Sequence, residues 1–500
     1  MPLLSDINPS RSLAAFRGVF WAAVNIVVPT AVNLVVFIVT SRLLTPADFG
    51  VVALAATLAA AAAAVVPTGF GDALVQSMQK DAVSLNSVFW LCAACGVGAY
   101  ATLASTGGLV AKVFGAPLLV QLIPVLGIRV IVDALGVVPT ALLTQTLAFR
   151  RIAVRTAIAS VVAALVSITL VVRGFGVWAL VASLLTTSVV STVATFFTVR
   201  WVPKWSFNAK TLNGLRSYGV YASGTRTLLF LWNQADQIVV GFVLGAGQLG
   251  IYNFSRRIFS IINDVSSGAL GTVAHPYFSG IQENIERVRN GFLSATFLAS
   301  IFAFPVFVGL ALVADRAVPL IFGPQWASAL WPIRILCVLG IITCIGTLQA
   351  GLINSLGKAK WWFYYQLFTG VINVPIIVIC APRGTSLLLV AIVAKTYLLW
   401  PTPVLMTLRL LELSARQYLG QFLAPLVAAG CMAGGILGSR MLLPHLSEPM
   451  ALVCDIVIGI PIYVLVLCLT AKKKLLGLSA IFLGFLGRGN KVMTGSGVVG

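Results

Sequence analysis

Long apolar runs alternate with short polar gaps along the whole chain. About fourteen of these runs reach the roughly 18 to 20 residues that a helix needs to cross a bilayer. Inside lipid, only a helix or a closed barrel satisfies every backbone hydrogen bond within the structure. The pattern therefore predicts an all-α membrane protein with about 14 transmembrane helices.

The apolar runs fall into two sets of six and a final pair. The first set covers residues 18–41, 48–77, 84–111, 118–147, 153–172 and 176–199. The second set covers 218–244, 248–279, 290–313, 326–355, 361–381 and 385–408, and the final pair covers 419–439 and 450–470. The gaps between the runs are too short to hold a soluble domain.

The composition also predicts that the chain lies in a lipid bilayer. Hydrophobic residues make up 59% and charged residues 9% of the 500 residues, against roughly 45–50% and 25% in soluble domains. The mean hydropathy is +1.02. A soluble core cannot absorb this excess, so most of the chain is expected to lie in the bilayer.

Positive charge is distributed unevenly between the two ends of the predicted helices. With the N-terminus in the cytoplasm, 21 of the 33 Lys and Arg residues fall in cytoplasmic segments and 6 on the opposite face. Short cytoplasmic loops of membrane proteins carry such an excess. We therefore attribute the net charge of +20 to topology, with both termini cytoplasmic, and expect no nucleic-acid partner.

We select ten charged residues inside the predicted spans as site candidates. The basic ones are Arg129, Arg226, Arg256, Arg257, Arg334 and Lys395, and the acidic ones are Asp72, Asp133, Asp236 and Asp264. A charge at the centre of a membrane helix costs about 2.5–3.5 kcal/mol on insertion scales, so such residues usually face a partner or a watery cavity. We predict a cationic substrate-binding cavity from the basic set, with the acidic residues as polar or coupling groups.

A purely structural interpretation of these charges stays open. Arg129 and Asp133 are four residues apart on one helix face and can neutralise each other. Arg256 and Arg257 lie about two turns inside their helix and can extend towards the interface. Adjacent side chains on a helix point about 100° apart, which argues against lipid exposure of both arginines.

Two segments of the first half recur in the second half. Residues 33–50 align without gaps on 233–250, with Asn33, Leu44 and Gly50 matched by Asn233, Leu244 and Gly250. Residues 113–130 align on 321–338 at an offset of 208. Two collinear matches at nearly equal offsets indicate a duplication.

The duplication predicts a domain plan. Six helices separate the copies, so both enter the membrane in the same direction, and parallel repeats of this kind place a substrate site between two bundles. We predict an N-terminal bundle at 1–199, a cytoplasmic linker at 200–217, a C-terminal bundle at 218–409, two further helices at 410–470 and a basic cytoplasmic tail at 471–500.

The second copy is the more polar of the two. Val36 and Phe37 of the first copy correspond to Asp236 and Gln237, and Ala56 and Thr57 correspond to Arg256 and Arg257. Asn233 and Gln237 therefore join the four acidic residues as polar or coupling candidates. Arginine suits a phosphorylated group because its planar fork donates two parallel, charge-assisted hydrogen bonds.

The turn after the first helix has a structural interpretation. Pro46 cannot continue the preceding helix, Asp48 can accept backbone hydrogen bonds at the next helix N-terminus, and Gly50 permits close packing. Arg42 is either an anchor near Asp48 or a contact for an emerging substrate. We therefore interpret Arg42, Pro46, Asp48 and Gly50 as a tight hinge between helices.

The same residues carry a family resemblance. The stretches "SRLLTPADFG", "VLGAGQLGIYNFS" and "AHPYFSGIQEN" resemble those of the bacterial polysaccharide flippases. These are the Wzx-type lipid-linked oligosaccharide translocases of the multidrug/oligosaccharidyl-lipid/polysaccharide exporter superfamily. The resemblance runs from about residue 12 to residue 470, and the Pro-x-Asp-Phe-Gly turn is typical of the polysaccharide branch.

The resemblance implies a function. A flippase of this kind moves an undecaprenyl-diphosphate-linked oligosaccharide across the bacterial inner membrane by alternating access, for exopolysaccharide, O-antigen or capsule synthesis. Its partners are that lipid-linked oligosaccharide, membrane lipids and, as further candidates, the polysaccharide polymerase and chain-length machinery. A membrane-embedded cationic cavity is a trait of the family, although its positions vary.

Two other functions remain open at this stage. One is a multidrug-type exporter with the same bundle plan, which favours acidic and aromatic cavity residues. The other is a membrane enzyme, a polysaccharide polymerase or ligase, which would need a larger periplasmic loop. We expect no catalytic residues, no metal site and no cofactor, because the chain has only two histidines and no phosphate-binding loop of the Gly-Lys-Ser/Thr type.

Overall fold

The computed structural model describes residues 9–77, 81–146, 149–443 and 445–494 of the chain, and its regular elements there are helices. The first eight are α1 (Pro9–Leu43), α2 (Pro46–Val65), α3 (Gly69–Ser77), α4 (Ala82–Val113), α5 (Leu119–Leu135), α6 (Val137–Gln145), α7 (Phe149–Val172) and α8 (Trp178–Val199). They are followed by α9 (Ala209–Gly280), α10 (Ile285–Phe322), α11 (Leu330–Ser355), α12 (Ala359–Cys380), α13 (Thr385–Leu399), α14 (Pro401–Leu411), α15 (Ala415–Leu419), α16 (Leu423–Leu442) and α17 (Glu448–Thr494).

Most of these helices are long and apolar enough to cross a membrane. Among the described residues, 12 segments meet this condition, and the pair α5 and α6, bent by 41°, makes a thirteenth if it is counted as one span. The chain is therefore a multi-pass membrane protein, and the predicted all-α membrane fold is confirmed.

Helix α9 covers two of the predicted spans, 218–244 and 248–279. Its apolar part, Thr211–Asp264, has 54 residues. At 1.5 Å per residue it extends about 80 Å, more than twice the ~30 Å hydrocarbon core. Gly245 interrupts it with φ 78° and ψ 177°, a conformation that glycine adopts without a Cβ clash. Two crossings by α9 would bring the count to 14, which stays a prediction.

The chain divides into two compact units. Of the described residues, the first unit comprises 14–254 and 377–385, apart from the gaps given above, and the second comprises 9–13, 255–376, 386–443 and 445–494. The predicted linker at 200–217 therefore does not coincide with the boundary of the compact units, and Ala209 already begins α9. The assignment of helices to two six-helix bundles stays a prediction.

A reciprocal glycine contact joins α2 to the part of α9 that follows the Gly245 break. A Cβ atom built on Gly50 would lie 1.7 Å from the carbonyl oxygen of Ala246, and one on Gly250 would lie 1.7 Å from that of Pro46. Only glycine allows backbones to approach this closely. The start of α2 therefore crosses α9 just after the Gly245 break, at two positions that the alignment pairs with each other.

The two segments of the second alignment, 113–130 and 321–338, each begin where a helix ends. Helix α4 ends at Val113 and is followed by Gly115, with φ 60°. Helix α10 ends at Phe322 and is followed by Gly323, with φ 110°. Gly115 and Gly323 are 208 residues apart, which is the offset read from the sequence. The same chain reversals thus occur at aligned positions of the two halves.

Candidate substrate-binding site

A polar cavity of about 710 Å³ lies within the first unit. It is lined by residues of α3, α5, α6, α7, α8 and α9 and by Thr68, which precedes α3. Its charged lining residues are Asp72, Asp133, Arg155 and Arg226, and the hydroxyl-bearing ones are Thr68, Thr140, Thr144, Ser191, Thr192 and Tyr218. Two acidic and two basic side chains therefore meet a cavity among membrane-spanning helices.

Arg226 and Asp72 form an ion pair at this cavity. Nη2 of Arg226 lies 2.7 Å from Oδ2 and 2.8 Å from Oδ1 of Asp72, and Nη1 lies 3.5 Å from Oγ1 of Thr68. The side chains of Arg226 and Asp72 remain 53% and 38% exposed, respectively. A partner or solute in the cavity can therefore reach both groups.

Asp133 lines the same cavity and is held by two other side chains. Nε of Arg129 donates a hydrogen bond to Oδ2 of Asp133 at 3.2 Å, one helical turn away on α5. The Ser188 hydroxyl of α8 donates to Oδ1 of Asp133. Arg129 and Asp133 thus neutralise each other, as the structural interpretation of their spacing allowed.

Arg155 is a lining residue that the sequence analysis did not select. It was counted among the cytoplasmic charges because Arg150 and Arg151 mark the start of the same helix. Residue 155 lies one turn further into α7 than Arg151, which brings it to the cavity. That one-turn spacing was the feature of the sequence that could have identified it.

Asp236 and Gln237 form a separate polar cluster beside the Gly245 break. The Tyr252 hydroxyl donates to Oδ2 of Asp236, which links the two arms of α9. The Thr57 hydroxyl of α2 donates to Oε1 of Gln237 at 3.1 Å. Asn233 is exposed one turn before them. The Thr57–Gln237 bond therefore joins α2 to α9. None of the residues of this cluster lines the 710 Å³ cavity.

The hinge residues take the conformation of a capped helix start. Thr45 is the N-cap of α2 with Pro46 directly after it. Its hydroxyl accepts from Asp48 N at 3.3 Å, and its backbone N–H donates to Oδ2 of Asp48 at 3.0 Å. Reciprocal capping of this kind fixes where a helix begins. Arg42 is exposed at the end of α1.

The remaining predicted basic residues belong to the second unit. On α9, Arg256 is half-buried, whereas Arg257 and Asp264 are exposed. On α13, Lys395 donates from Nζ to Oδ1 of Asn373 at 3.0 Å. The predicted cationic set is therefore divided between the two units.

Arg334 belongs to a charge network that the sequence did not reveal. Its Nη2 lies 3.7 Å from Oδ2 of Asp315, and its guanidinium lies 5.7 Å from the Trp331 ring centroid. Arg440 contacts Oδ2 of Asp315 at 2.8 Å and Oδ2 of Asp455 at 2.7 Å.

Arg316 completes this network. Its Nη1 lies 3.0 Å from Oδ2 of Asp455, whose side chain is 1% exposed. Three arginines and two aspartates thus join α10, α11, α16 and α17 of the second unit. Asp315, Arg316 and Arg440 also line a cavity of about 620 Å³.

The described ranges contain no set of side chains that could bind a metal ion. No three His, Cys, Asp or Glu side chains there lie close enough together to hold a metal ion. The charged groups of both cavities are instead suited to binding ions and polar solutes through hydrogen bonds.

Many membrane-spanning helices and a charged cavity among them define a polytopic membrane transporter. The sequence profile of the family described as polysaccharide biosynthesis protein matches residues 39–331. The chain belongs to this family, which confirms the resemblance found in the turn after the first helix.

Curated relatives extend over most of the chain. The succinoglycan biosynthesis transport protein ExoT of Rhizobium meliloti (strain 1021) is 27% identical over 357 residues, covering 71% of this chain and 72% of the relative. The lipopolysaccharide biosynthesis protein WzxC of Escherichia coli (strain K12) is 25% identical over 366 residues, covering 72% and 74%. The teichuronic acid biosynthesis protein TuaB of Bacillus subtilis (strain 168) is 25% identical over 360 residues, with the same shares.

Solved structures share the fold. The lipid II flippase MurJ, in an inward closed conformation, matches with a TM-score of 0.70 and 13% identity, over 91% of this chain and 99% of the MurJ chain. An inward-facing multidrug resistance MATE family transporter of the MOP superfamily matches with a TM-score of 0.59 and 17% identity, over 79% and 99%. At these identities the likeness shows the fold, which this chain shares with MurJ and with the MATE family transporter.

Proposed function

We propose that this protein moves an undecaprenyl-diphosphate-linked oligosaccharide from the cytoplasmic to the periplasmic leaflet of the bacterial inner membrane. The movement proceeds by alternating access and supplies exopolysaccharide, O-antigen or capsule synthesis. In this proposal the chain is a transporter without catalytic residues, and both termini lie in the cytoplasm.

The observation that carries the proposal is the 710 Å³ cavity with Arg155 and Arg226 in its lining. Charged residues inside membrane spans are costly and usually mark a substrate or ion pathway. A guanidinium group binds phosphate oxygens with a fixed, two-pronged geometry. The surrounding hydroxyl groups supply further donors for a diphosphate or for sugar hydroxyls.

The names of the relatives support the polysaccharide assignment. ExoT is named for succinoglycan transport, and WzxC and TuaB are named for lipopolysaccharide and teichuronic acid biosynthesis. MurJ, with the same fold, is named as a flippase of lipid II. We extend the lipid-linked substrate class to this chain by that analogy.

The roles of the other predicted residues follow as part of the same proposal. Arg256, Arg257, Arg334 and Lys395 provide positive charge in the second unit, where a diphosphate is handled during the transport cycle. Asp72 and Asp133 are candidates for coupling transport to a cation. Arg42, Pro46, Asp48 and Gly50 fix the turn between α1 and α2.

Export of cationic compounds is the second candidate, since two carboxylates line the cavity. Both carboxylates are already paired, Asp72 with Arg226 and Asp133 with Arg129. A cation would have to displace an arginine, whereas an anion finds Arg155 without a carboxylate partner among the described residues. The charge arrangement therefore favours an anionic substrate.

Reconstitution tests the proposal. The purified chain is placed in liposomes that hold a fluorescent, polyprenyl-diphosphate-linked oligosaccharide, and a membrane-impermeant reagent reports the leaflet of the sugar. We expect protein-dependent movement with no new glycosidic bond in the recovered lipid. A longer glycan would indicate a polymerase, and transport of ethidium without movement of the lipid-linked sugar would indicate a drug exporter.

The proposed orientation has its own test. In a variant without native cysteines, single cysteines next to Arg316 and Arg383 should react with an impermeant maleimide added outside the cell. Cysteines next to Arg200 and Lys358 should react only after the membrane is opened. Labelling of the first pair from the cytoplasm would contradict the proposed topology.

A further inference from the structure

One basic side chain in the lining of the 710 Å³ cavity, Arg155, forms no ion pair among the described residues. Arg226 is neutralised by Asp72, and Asp133 is neutralised by Arg129. Arg155 has no carboxylate within salt-bridge distance among the described residues, and it is the remaining basic side chain of the lining. With Arg129, which lies outside the lining, counted as the partner of Asp133, the positive charge of Arg155 is the one in the lining without a paired carboxylate among the described residues.

The Arg155 guanidinium is oriented but largely unused. Its Nη1 donates to Oγ1 of Thr195 at 3.0 Å, and the Thr195 hydroxyl in turn donates to the carbonyl of Ser191 at 2.7 Å. Thr195 therefore acts only as an acceptor for Arg155 and fixes the direction of its side chain. Nε of Arg155 is buried without an acceptor in the described structure. Of the five N–H donors of a guanidinium, one donates to a side chain of the described residues.

Hydroxyl groups line the same cavity as this charge. Thr140 and Thr144 of α6 and Ser191 and Thr192 of α8 line the cavity with Arg155. The two carboxylates of this lining are each paired with another arginine, so the Arg155 guanidinium is the group suited to a phosphate or diphosphate. Binding an anion would also supply an acceptor for donors that are otherwise unsatisfied.

We propose that Arg155, oriented by Thr195, is the primary binding site for the diphosphate of the transported lipid. This inference rests on the proposed function and assigns its headgroup contact to a residue near the start of α7, the end of that helix with the proposed cytoplasmic location. The Arg226–Asp72 pair is then a second site, which opens to the anion only when Asp72 is displaced.

Binding measurements on the purified full-length chain test this assignment. Farnesyl diphosphate represents a lipid headgroup, inorganic pyrophosphate represents a free anion, and farnesol is the neutral control. Arg155→Gln removes the charge and Arg155→Lys retains it without the planar fork. Arg173→Gln is the matched control, since Arg173 is an exposed arginine just beyond the other end of α7.

We expect Arg155→Gln to weaken farnesyl diphosphate binding at least about tenfold, a factor equivalent to 1.4 kcal/mol. Arg155→Lys should retain part of the affinity, Arg173→Gln should retain all of it, and farnesol should bind the wild type and Arg155→Gln alike. Stronger binding of farnesyl diphosphate than of pyrophosphate supports a lipid headgroup. Equal or stronger binding of pyrophosphate contradicts the lipid assignment.

Equal affinity of Arg155→Gln and the wild type for farnesyl diphosphate would overturn the site while leaving the proposed function standing, provided that the wild type still moves the lipid-linked sugar. Failure of the wild type to move that lipid would overturn the proposed function itself. The thermal unfolding midpoint of each variant, measured in detergent, separates loss of binding from loss of folding. An Arg155→Gln variant that unfolds early but regains affinity at low temperature would also overturn the site.

Discussion

Gly50 and Gly250 occupy equivalent places in one backbone crossing. A Cβ on Gly50 would lie 1.7 Å from the carbonyl oxygen of Ala246, and a Cβ on Gly250 would lie 1.7 Å from that of Pro46. Each contact is related to the other by the 200-residue offset of the sequence alignment. The crossing therefore fixes the start of α2 against α9 through two pairs of aligned positions.

Alanine at either glycine should destabilise the protein. Because the nearest atoms are backbone, the helices themselves must separate, and we expect a loss of about 3 kcal/mol or more. Gly247→Ala is the matched control, since a Cβ there meets nothing within 4 Å. The thermal unfolding midpoint in detergent measures the effect. Equal midpoints for Gly50→Ala and Gly247→Ala would contradict the crossing.

The Arg226–Asp72 pair can be tested for a role beyond structure. If Arg226 contacts the anionic substrate, Arg226→Gln should reduce transport about tenfold or more, the range of a lost hydrogen bond to a charged group. The double variant Arg226→Gln/Asp72→Asn should not recover. Restored transport in the double variant would show that the pair only balances charge.

Asp455 should be important for the stability of the second unit. It is 1% exposed and contacts Arg440 at 2.7 Å and Arg316 at 3.0 Å. Removal of its charge leaves two half-buried arginines with only Glu448 and Asp315 as carboxylate partners among the described residues. Breaking a buried pair typically costs about 3–5 kcal/mol.

Asp455→Asn should therefore lower the unfolding midpoint. Glu448→Gln serves as its control, because Glu448 is 74% exposed and lies 3.8 Å from Arg316. Exposed ion pairs contribute about 0–1 kcal/mol, so the control should unfold with the wild type. A control that falls as far as Asp455→Asn would contradict the ranking by burial.

Arg256 and Arg257 test the proposed role of the second unit in transport. Replacement of both by glutamine should abolish polysaccharide export while the amount of protein in the membrane stays unchanged. The reason is that the proposed role of both residues depends on their positive charge. Export and membrane protein are measured in the same cells. Normal export from the double variant would remove both residues from the mechanism.

Hydropathy was sufficient to predict the class of fold because the bilayer imposes the length of each apolar run. Gly50 was expected to permit close packing. Its contact with Ala246, and that of its aligned counterpart Gly250 with Pro46, became visible only in the structure. Element boundaries inside long apolar stretches were harder. The continuation of α9 from Ala209 to Gly280 depends on tertiary contacts, which composition does not encode.

The candidate site was predicted only in part. Arg226, Asp72 and Asp133 were selected because a charge inside an apolar run is conspicuous. Arg155 was missed because it follows two other arginines at a helix start, where positive charge is expected for topological reasons. The Asp315–Arg440–Asp455 network was missed because its members are near helix ends and are brought together only by folding.

The most direct test of the account compares two headgroups in the same proteoliposomes. One lipid carries its oligosaccharide on a polyprenyl diphosphate, and the other carries the same oligosaccharide on an uncharged polyprenol. If the basic side chains of the cavity bind the phosphorylated headgroup, the first lipid moves between leaflets and the second moves no faster than in protein-free liposomes. Equal protein-dependent rates for the two lipids would contradict the account.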